Sequence, residues 1–160
     1  MQRPSLRMRK SMSLLNEFCG EFGLTEEALG QVTRLGKQCF LTLPRHNKLI
    51  AKYRKSLVSA GIYLGEENKR LRPSPALLEH IAALTDEHKV VVDEKAAWLF
   101  LCGRDLFTKS IISRGVPTRR GFVLVQNSRD ENLGFGLAKR RGNVAVKNLL
   151  DRGFFLRRER

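Results

Sequence analysis

The chain has 160 residues, of which 42% are hydrophobic and 29% are charged. This composition favours a packed core over wholesale disorder, and the length fits one typical domain or two small ones rather than a large multidomain enzyme. Lys and Arg number 30 against 16 Asp and Glu, which gives a formal net charge of +14. Because so large an excess attracts anionic partners, the sequence predicts binding to nucleic acid or to an anionic membrane surface.

Local features exclude several classes of protein. No run of about 18 apolar residues is present, so no transmembrane helix is expected. The basic N-terminus lacks the apolar core of a signal peptide. Three widely spaced cysteines, Cys19, Cys39 and Cys102, do not suggest a disulfide framework. We expect them to be small buried hydrophobic residues in a reducing compartment, the cytoplasm or, in a eukaryote, the nucleolus.

Helix and strand patterns alternate in the first half of the chain. In chain order they predict a helix over 5–22, a helix over 25–35, strands over 39–43, 48–53 and 57–64, and a helix over 76–84. The second predicted helix begins at Thr25, which is followed by two glutamates. Residues 1–88 are therefore predicted to form a small α/β domain.

The second half is richer in strand patterns and in glycine. The patterns predict strands over 90–92, 96–101, 122–125, 133–138 and 153–156, a short helix over 106–112, and a strand or short helix over 144–150. Many short strands around one helix are typical of a small closed barrel. The predicted fold is therefore α+β, with a barrel domain at residues 89–160 after the α/β domain.

No catalytic or metal-binding motif is recognisable in the sequence. The three histidines, His46, His80 and His88, do not combine with the cysteines at metal-binding spacings. Neither a Walker lysine motif nor a nucleophile elbow occurs. We therefore expect no enzymatic activity, no metal and no cofactor.

Positive charge is concentrated towards the C-terminus. Residues 139–160 contain eight basic residues and two acidic ones. A charged run of this kind is often only a solvated face. Together with the excess over the whole chain, it favours a surface that binds phosphates.

Three segments of the C-terminal half resemble a PUA domain, a small RNA-binding pseudo-barrel of short β-strands. They are WLFLCGRDLFTKSI (98–111), RGFVLVQNSRDENLGFGLAK (120–139) and VKNLLDRGFFLRRE (146–159). The order of strand, glycine, short helix and a strand ending in LGFGLA is that of the family. The resemblance implies binding to RNA.

The N-terminal half resembles one particular group of PUA proteins, the Nip-seven family of ribosome-biogenesis factors. The similar segments are LGKQCFLTL (35–43), LVSAGIYLGEENK (57–69) and the helix before the barrel. The resemblance implies a non-catalytic role in large-subunit ribosomal RNA processing and assembly, without a membrane. It also implies that the N-terminal domain contacts assembly proteins. The compact tail ending in LRRER is closer to archaeal members.

The resemblance places RNA contacts on basic residues of the barrel. Carried over by position, they are Lys139, Arg140, Arg141, Lys147 and Arg152. Four further basic residues are candidates to extend this surface: Lys109, Arg114, Arg119 and Arg120. Single-stranded RNA also stacks on aromatic rings. Phe135, Phe154 and Phe155 are candidates for this role, although we expect them, like Trp98, to pack in the core.

Other functions remain open at this stage. The main alternative is a PUA-containing translation-initiation factor or tRNA-associated accessory factor. An RNA-modifying enzyme is a third hypothesis, but the chain lacks space for a known catalytic domain beside the barrel. A protein adaptor whose charge serves only solubility is the fourth.

Overall fold

The computed structural model describes residues 12–113, 121–139, 142–154 and 157. Its helices are α1 (Leu14–Gly20), α2 (Asn47–Tyr53), α3 (Pro75–Leu84) and α4 (Glu94–Leu101). Its strands are β1 (Gln31–Leu35), β2 (Gln38–Thr42), β3 (Ile62–Glu67), β4 (Leu71–Pro73), β5 (Lys89–Val92), β6 (Leu106–Phe107), β7 (Ile111–Ser113), β8 (Phe122–Asn127), β9 (Asn132–Ala138) and β10 (Val144–Asp151).

The first four strands form an antiparallel sheet in the order β1-β2-β3-β4. The helix predicted over 25–35 is wrong in its second half. A 3₁₀ turn, Glu26–Leu29, ends at Gly30, whose φ of +108° an L side chain rarely adopts. The chain then enters β1, where every residue pairs with β2. The three-residue spacing of Val32 and Leu35 fits one face of a helix, but in β1 the two residues lie on opposite faces.

The strand predicted over 48–53 is the helix α2. The Asn47 and Gln31 side chains share hydrogen bonds at its start, and Arg54 Nη2 donates to Arg34 O at its end. Seven helical residues rise about 10 Å, and three strand residues span about the same distance. The two ends of the helix therefore contact β1, the outer strand of the sheet.

The remaining six strands form a second sheet in the order β6-β10-β9-β8-β5-β7. Only the β5–β8 pairing in this sheet is parallel. The two outermost strands, β6 and β7, are joined by a single 3₁₀ turn, Thr108–Ser110. This short link brings the two edges together and nearly closes the sheet into a pseudo-barrel. The predicted α+β fold with a PUA-type pseudo-barrel is confirmed.

Three element predictions in the barrel are wrong. Residues 96–101 lie in the helix α4, and the helix predicted over 106–112 is two short strands separated by the 3₁₀ turn. The final strand was predicted over 153–156; Gly153 and Phe154 are not in a strand, and residues 155 and 156 lie outside the described residues. These stretches are short and apolar, so periodicity alone does not separate helix from strand.

Two apolar clusters hold the molecule together. The first joins the two sheets: Phe18 of α1 packs against Phe122 and Phe135, with ring centroids 5.1 and 6.4 Å away. The second fills the barrel and includes Phe100 and Val123. The division between residues 1–88 and 89–160 remains a prediction.

The cysteines separate into two kinds. Cys19 and Cys39 are buried, as expected, and burial raises the pKa of their thiols to about 11 and about 12 respectively. Cys102 is exposed at the end of α4, so its predicted burial is wrong. Within the described ranges, no helix has the length and hydropathy that crossing a bilayer requires.

Candidate nucleic-acid interface

A groove of about 720 Å³ lies where the two edges of the barrel meet. One wall is α4, and the other is the link between β6 and β7. The Asp93 N–H donates to Ser110 O at 3.3 Å and joins the two walls. The lining residues are Asp93, Lys95, Ala96, Leu99, Phe107, Thr108, Lys109, Ser110 and Asn143. A volume of this size accommodates a small organic group such as a nucleotide.

The α4 wall follows from how that helix is capped and packed. Asp93 caps the helix by accepting the Ala96 N–H at 2.8 Å. Ala96, Ala97 and Phe100 face the barrel core. The intervening positions therefore face outward, and Trp98 is 68% exposed. The predicted core position of Trp98 is wrong because that prediction rested on a strand.

The opposite wall is fixed by pairing with β10. Phe107 pairs with Val144, and the Thr108 N–H donates to Asn143 O at 3.1 Å. Phe107 is nevertheless 47% exposed, and the neighbouring Lys109 is exposed. This wall therefore presents an aromatic face and an ammonium group beside the hydroxyls of Thr108 and Ser110.

The groove combines the groups that single-stranded RNA binds. Lys95 and Lys109 supply positive charge from the two walls, and each suits a phosphate. Phe107 inside the groove and Trp98 beside it offer rings on which bases can stack. Hydroxyl and amide groups can reach base edges or the ribose 2′-hydroxyl.

The acidic groups at this end of α4 have partners within the protein. The Asp93 carboxylate accepts the capping hydrogen bond, and Glu94 pairs with Arg129 at 3.4 Å. Both partners of that pair are largely exposed, so the pair stabilises little. It does bring a compensating positive charge beside Glu94. The two groove lysines therefore keep a net positive field.

The predicted RNA contacts do not converge on one place. Lys139 is half-buried, and its N–H donates to Ala145 O at 2.8 Å. It lies two strand positions from β6, a separation of about 10 Å between strand axes. Lys147 is exposed in the middle of β10. Arg152 follows the far end of β10, roughly 20 Å from the residue that pairs with Lys139. Arg140 and Arg141 lie outside the described residues.

Arg152 has a partner elsewhere in the protein. It forms an ion pair with Glu79 of α3, which also accepts a hydrogen bond from Asn132 Nδ2 at 2.7 Å. This ion pair connects the helix α3, in the N-terminal half of the chain, to the ends of the barrel strands β9 and β10. The structure does not bring Arg152 to the groove, and its role in RNA binding remains a prediction.

Arg157 also has a structural partner. Its guanidinium donates to both oxygens of the buried Asp151 at 2.8 and 2.9 Å and to Leu101 O at the end of α4. The hydrogen bonds with Asp151 raise the pKa of Arg157. The basic tail thus includes at least one residue whose charge is used to hold α4 in place.

The other residues that the sequence offered as candidates for RNA binding also lie in different places. Lys109 lines the groove, whereas Arg114, Arg119 and Arg120 lie outside the described residues. Phe135 is 6% exposed and belongs to the core, as expected. Phe154 is half-buried, and Phe155 lies outside the described residues.

Three residues that line the groove were not predicted from the sequence: Lys95, Phe107 and Asn143. Trp98 was expected in the core and is exposed. A signal for the α4 wall exists in the sequence. If Asp93 is taken as an N-cap, Lys95, Trp98 and Leu99 fall opposite the apolar face of the helix.

The histidines hydrogen-bond to the backbone rather than forming a cluster. His80 Nε2 lies 2.8 Å from Leu29 O, and His88 Nδ1 lies 3.4 Å from Phe122 O. In the part of the chain that the structure describes, no group of three or more His, Cys, Asp or Glu side chains is arranged to hold a metal ion.

Comparison with known proteins agrees with the barrel topology. Residues 88–160 match the UPF0113 PUA domain family. Proteins with PUA domains generally bind RNA and are typically non-enzymatic. A UPF0113 protein of Archaeoglobus fulgidus is 33% identical over 112 residues. That match covers 63% of this chain and 63% of the relative's own length.

A solved structure has a similar fold. A conserved PUA domain protein of Thermoplasma acidophilum matches with a TM-score of 0.55 at 19% identity, and the match covers 91% of each chain. A hypothetical protein of Pyrococcus horikoshii matches with a TM-score of 0.42 at 25% identity and covers 54% of this chain and 60% of that one. The first of these shows that the fold extends across both halves of the chain.

Proposed function

We propose that this protein is a non-catalytic RNA-binding factor and that it binds single-stranded RNA in the groove between α4 and the β6–β7 link. This proposal rests on the positions of Lys95 and Lys109 on opposite walls of an open groove. Phe107 lies in one of these walls, and Trp98 lies beside the other. Lys139 adds positive charge about 10 Å away across the neighbouring strands, and Arg140 and Arg141 follow it in sequence.

Single-stranded RNA fits the groove better than a duplex does. Direct readout of duplex DNA uses a helix or β-ribbon placed in the major groove, whereas here the polar groups line a concave surface. A concave surface with exposed rings admits bases that are splayed out of a stack. The net charge of +14 adds the long-range attraction that brings an RNA to this surface.

We further propose that the bound RNA is ribosomal RNA or its precursor and that the protein acts in assembly of the large ribosomal subunit. The support is the resemblance of the N-terminal half to the Nip-seven family. The N-terminal half would then contact assembly proteins. Crosslinking in cells and sequencing of the bound RNA tests this step. Large-subunit ribosomal RNA is expected, whereas transfer RNA or small-subunit RNA would favour a translation accessory factor.

The groove itself is tested by equilibrium binding of a fluorescent single-stranded RNA at several salt concentrations. If about five phosphates are neutralised, the slope of log K against log salt is about −3.5. The variant Lys95→Gln/Lys109→Gln should bind more weakly, with a slope smaller by about 1.4. The matched control is Lys69→Gln/Arg70→Gln, which removes the same charge from the exposed turn between β3 and β4.

The comparison of the two double variants decides the outcome. Equal losses would mean that only total charge matters, and an unchanged groove variant would move the site elsewhere. A wild-type affinity that does not respond to salt would contradict the electrostatic part of the proposal.

A further inference from the structure

A second basic surface lies outside the barrel. Residues 28–65 contain seven Lys and Arg and no Asp or Glu. Five of these basic residues lie in or next to α2, at Arg45, Lys48, Lys52, Arg54 and Lys55. The groove between α4 and the β6–β7 link includes none of them.

The packing of α2 leaves these basic residues exposed on one side. Within the helix, Ile50 alone is buried. Asn47 and Arg54 face β1, with which they share hydrogen bonds. Lys48 and Lys52 are four residues apart, so they share a stripe on the outward side of the helix. Lys55 lies in the turn that directly follows the helix, and all three lysines are exposed.

A second exposed stripe lies beside the lysines. Leu49 is 60% exposed and Tyr53 is 45% exposed, and they are four residues apart. Lys52 Nζ lies 5.2 Å from the centre of the Tyr53 ring. Cation and ring are therefore presented together, which is the combination that binds a phosphate and stacks on a base.

Residues 28–65 contain no carboxylate that could cancel this charge. Two of the glutamates on either side of this segment, Glu26 and Glu67, are both bound to Arg34, at 2.7 and 2.9 Å. A field of one sign on an exposed helix attracts a polyanion.

We propose that the outward face of α2, defined by Lys48, Lys52, Lys55 and Tyr53, is a second RNA-binding surface. This inference rests on the proposed function in so far as the ligand is RNA, but it concerns a separate site on the N-terminal half. RNA fits this face better than a protein does because a lysine ammonium supplies positive charge without a fixed hydrogen-bond geometry. Contacts with a phosphate backbone require no more than that. Tyr53 then takes an adjoining base.

The test is the salt dependence of binding to a 30-nucleotide single-stranded RNA. The variant Lys48→Gln/Lys52→Gln/Lys55→Gln should show a slope smaller by about 2, since three phosphate contacts are lost. Its matched control, Lys69→Gln/Arg70→Gln/Arg72→Gln, removes the same charge from the opposite edge of the sheet and should change the slope much less. All the substituted side chains are exposed, and thermal unfolding confirms that each variant is folded.

The groove variant Lys95→Gln/Lys109→Gln separates this inference from the proposed function. If that variant loses affinity and the α2 variant does not, the second surface is overturned while the groove stands. If the α2 variant alone loses affinity, the second surface stands and the groove fails. Equal loss in the α2 variant and its control would overturn the inference as an effect of net charge. Unchanged affinity in the folded α2 variant would overturn it and point to an acidic protein on this face.

Discussion

Arg34 connects four elements of the N-terminal half through one guanidinium. Its Nη1 and Nη2 atoms donate to Glu26 at 2.8 and 2.7 Å, and Nε donates to Glu67 at 2.9 Å. Glu67 also accepts the Leu15 N–H of α1 at 2.9 Å. The hydrogen bonds with Arg34 lower the pKa of Glu26. Burial raises the pKa of Glu67, but hydrogen bonds from Arg34 and Leu15 outweigh it and leave that pKa lowered.

Replacing Arg34 by Met should destabilise the protein by about 1–2 kcal/mol near neutral pH. Because the folded pKa values of both carboxyls are lowered, the network stabilises fully above their unfolded values. Its contribution is lost as the pH falls below the ordinary Glu pKa and through the lowered folded values. Urea unfolding of both proteins at pH 7 and at lower pH measures this.

The difference between wild type and Arg34→Met should therefore shrink on acidification. The neighbouring control Lys37→Met, at an exposed turn, should change stability by less than about 0.5 kcal/mol. A difference for Arg34→Met that is the same at every pH would contradict the role given to the two carboxylates.

Trp98 and Phe100 lie two residues apart on α4 and face opposite environments. Trp98→Ala should leave stability nearly unchanged and weaken RNA binding by about 1–3 kcal/mol, the usual value of one base stacked on a ring. Phe100 is fully buried in the barrel, so Phe100→Ala should cost about 3–5 kcal/mol of stability. Thermal unfolding and RNA titration of both variants test this. A marked loss of stability in Trp98→Ala would place that ring in the core.

At the scale of elements, Gly134 fixes how β9 meets β10. It pairs with Asp151 and has a φ of +146°, and a Cβ at this position would overlap the backbone of Leu150 and Asp151. Gly134→Ala should therefore destabilise the barrel by at least about 2 kcal/mol. Gly20→Ala is the control, because a Cβ at the end of α1 meets no atom within 4 Å. Equal unfolding midpoints for the two variants would contradict the close approach.

The sequence pattern predicted the helix α3 correctly. The helix begins at Pro75, two residues after Pro73, and its buried face contains Leu77, Leu78 and Ile81, so these signals were sufficient. The segments at 48–53 and 96–101 were placed as strands because each is a short run with apolar residues. Their helical state is associated with the cap at Asp93 and with the hydrogen bonds between the ends of α2 and β1, and the second of these is a tertiary contact.

The site was predicted only in part for the same reason. Lys109 was predicted as a candidate from its charge, and the role of Lys139 remains a prediction. Lys95 and Phe107 line the same groove because α4 lies beside the β6–β7 link, where the Asp93 N–H donates to Ser110 O. No local pattern encodes that tertiary contact.

At the scale of the whole molecule, positive charge and apolar packing serve different purposes. One core joins both sheets through α1, so the two basic surfaces are held on a shared framework. Some basic residues are used internally, as Arg34 and Arg157 show, and do not enter the charge available to a ligand. The remaining exposed lysines on α2 and around the groove account for the predicted attraction to RNA.

The most direct measurement is ultraviolet crosslinking of the purified protein to a single-stranded RNA, followed by mass spectrometry of the crosslinked peptides. The structure predicts crosslinks in peptides that contain Trp98 or Phe107, and their loss in Lys95→Gln/Lys109→Gln. Crosslinks confined to other parts of the barrel, or a crosslinking pattern that this variant leaves unchanged, would contradict binding in the groove.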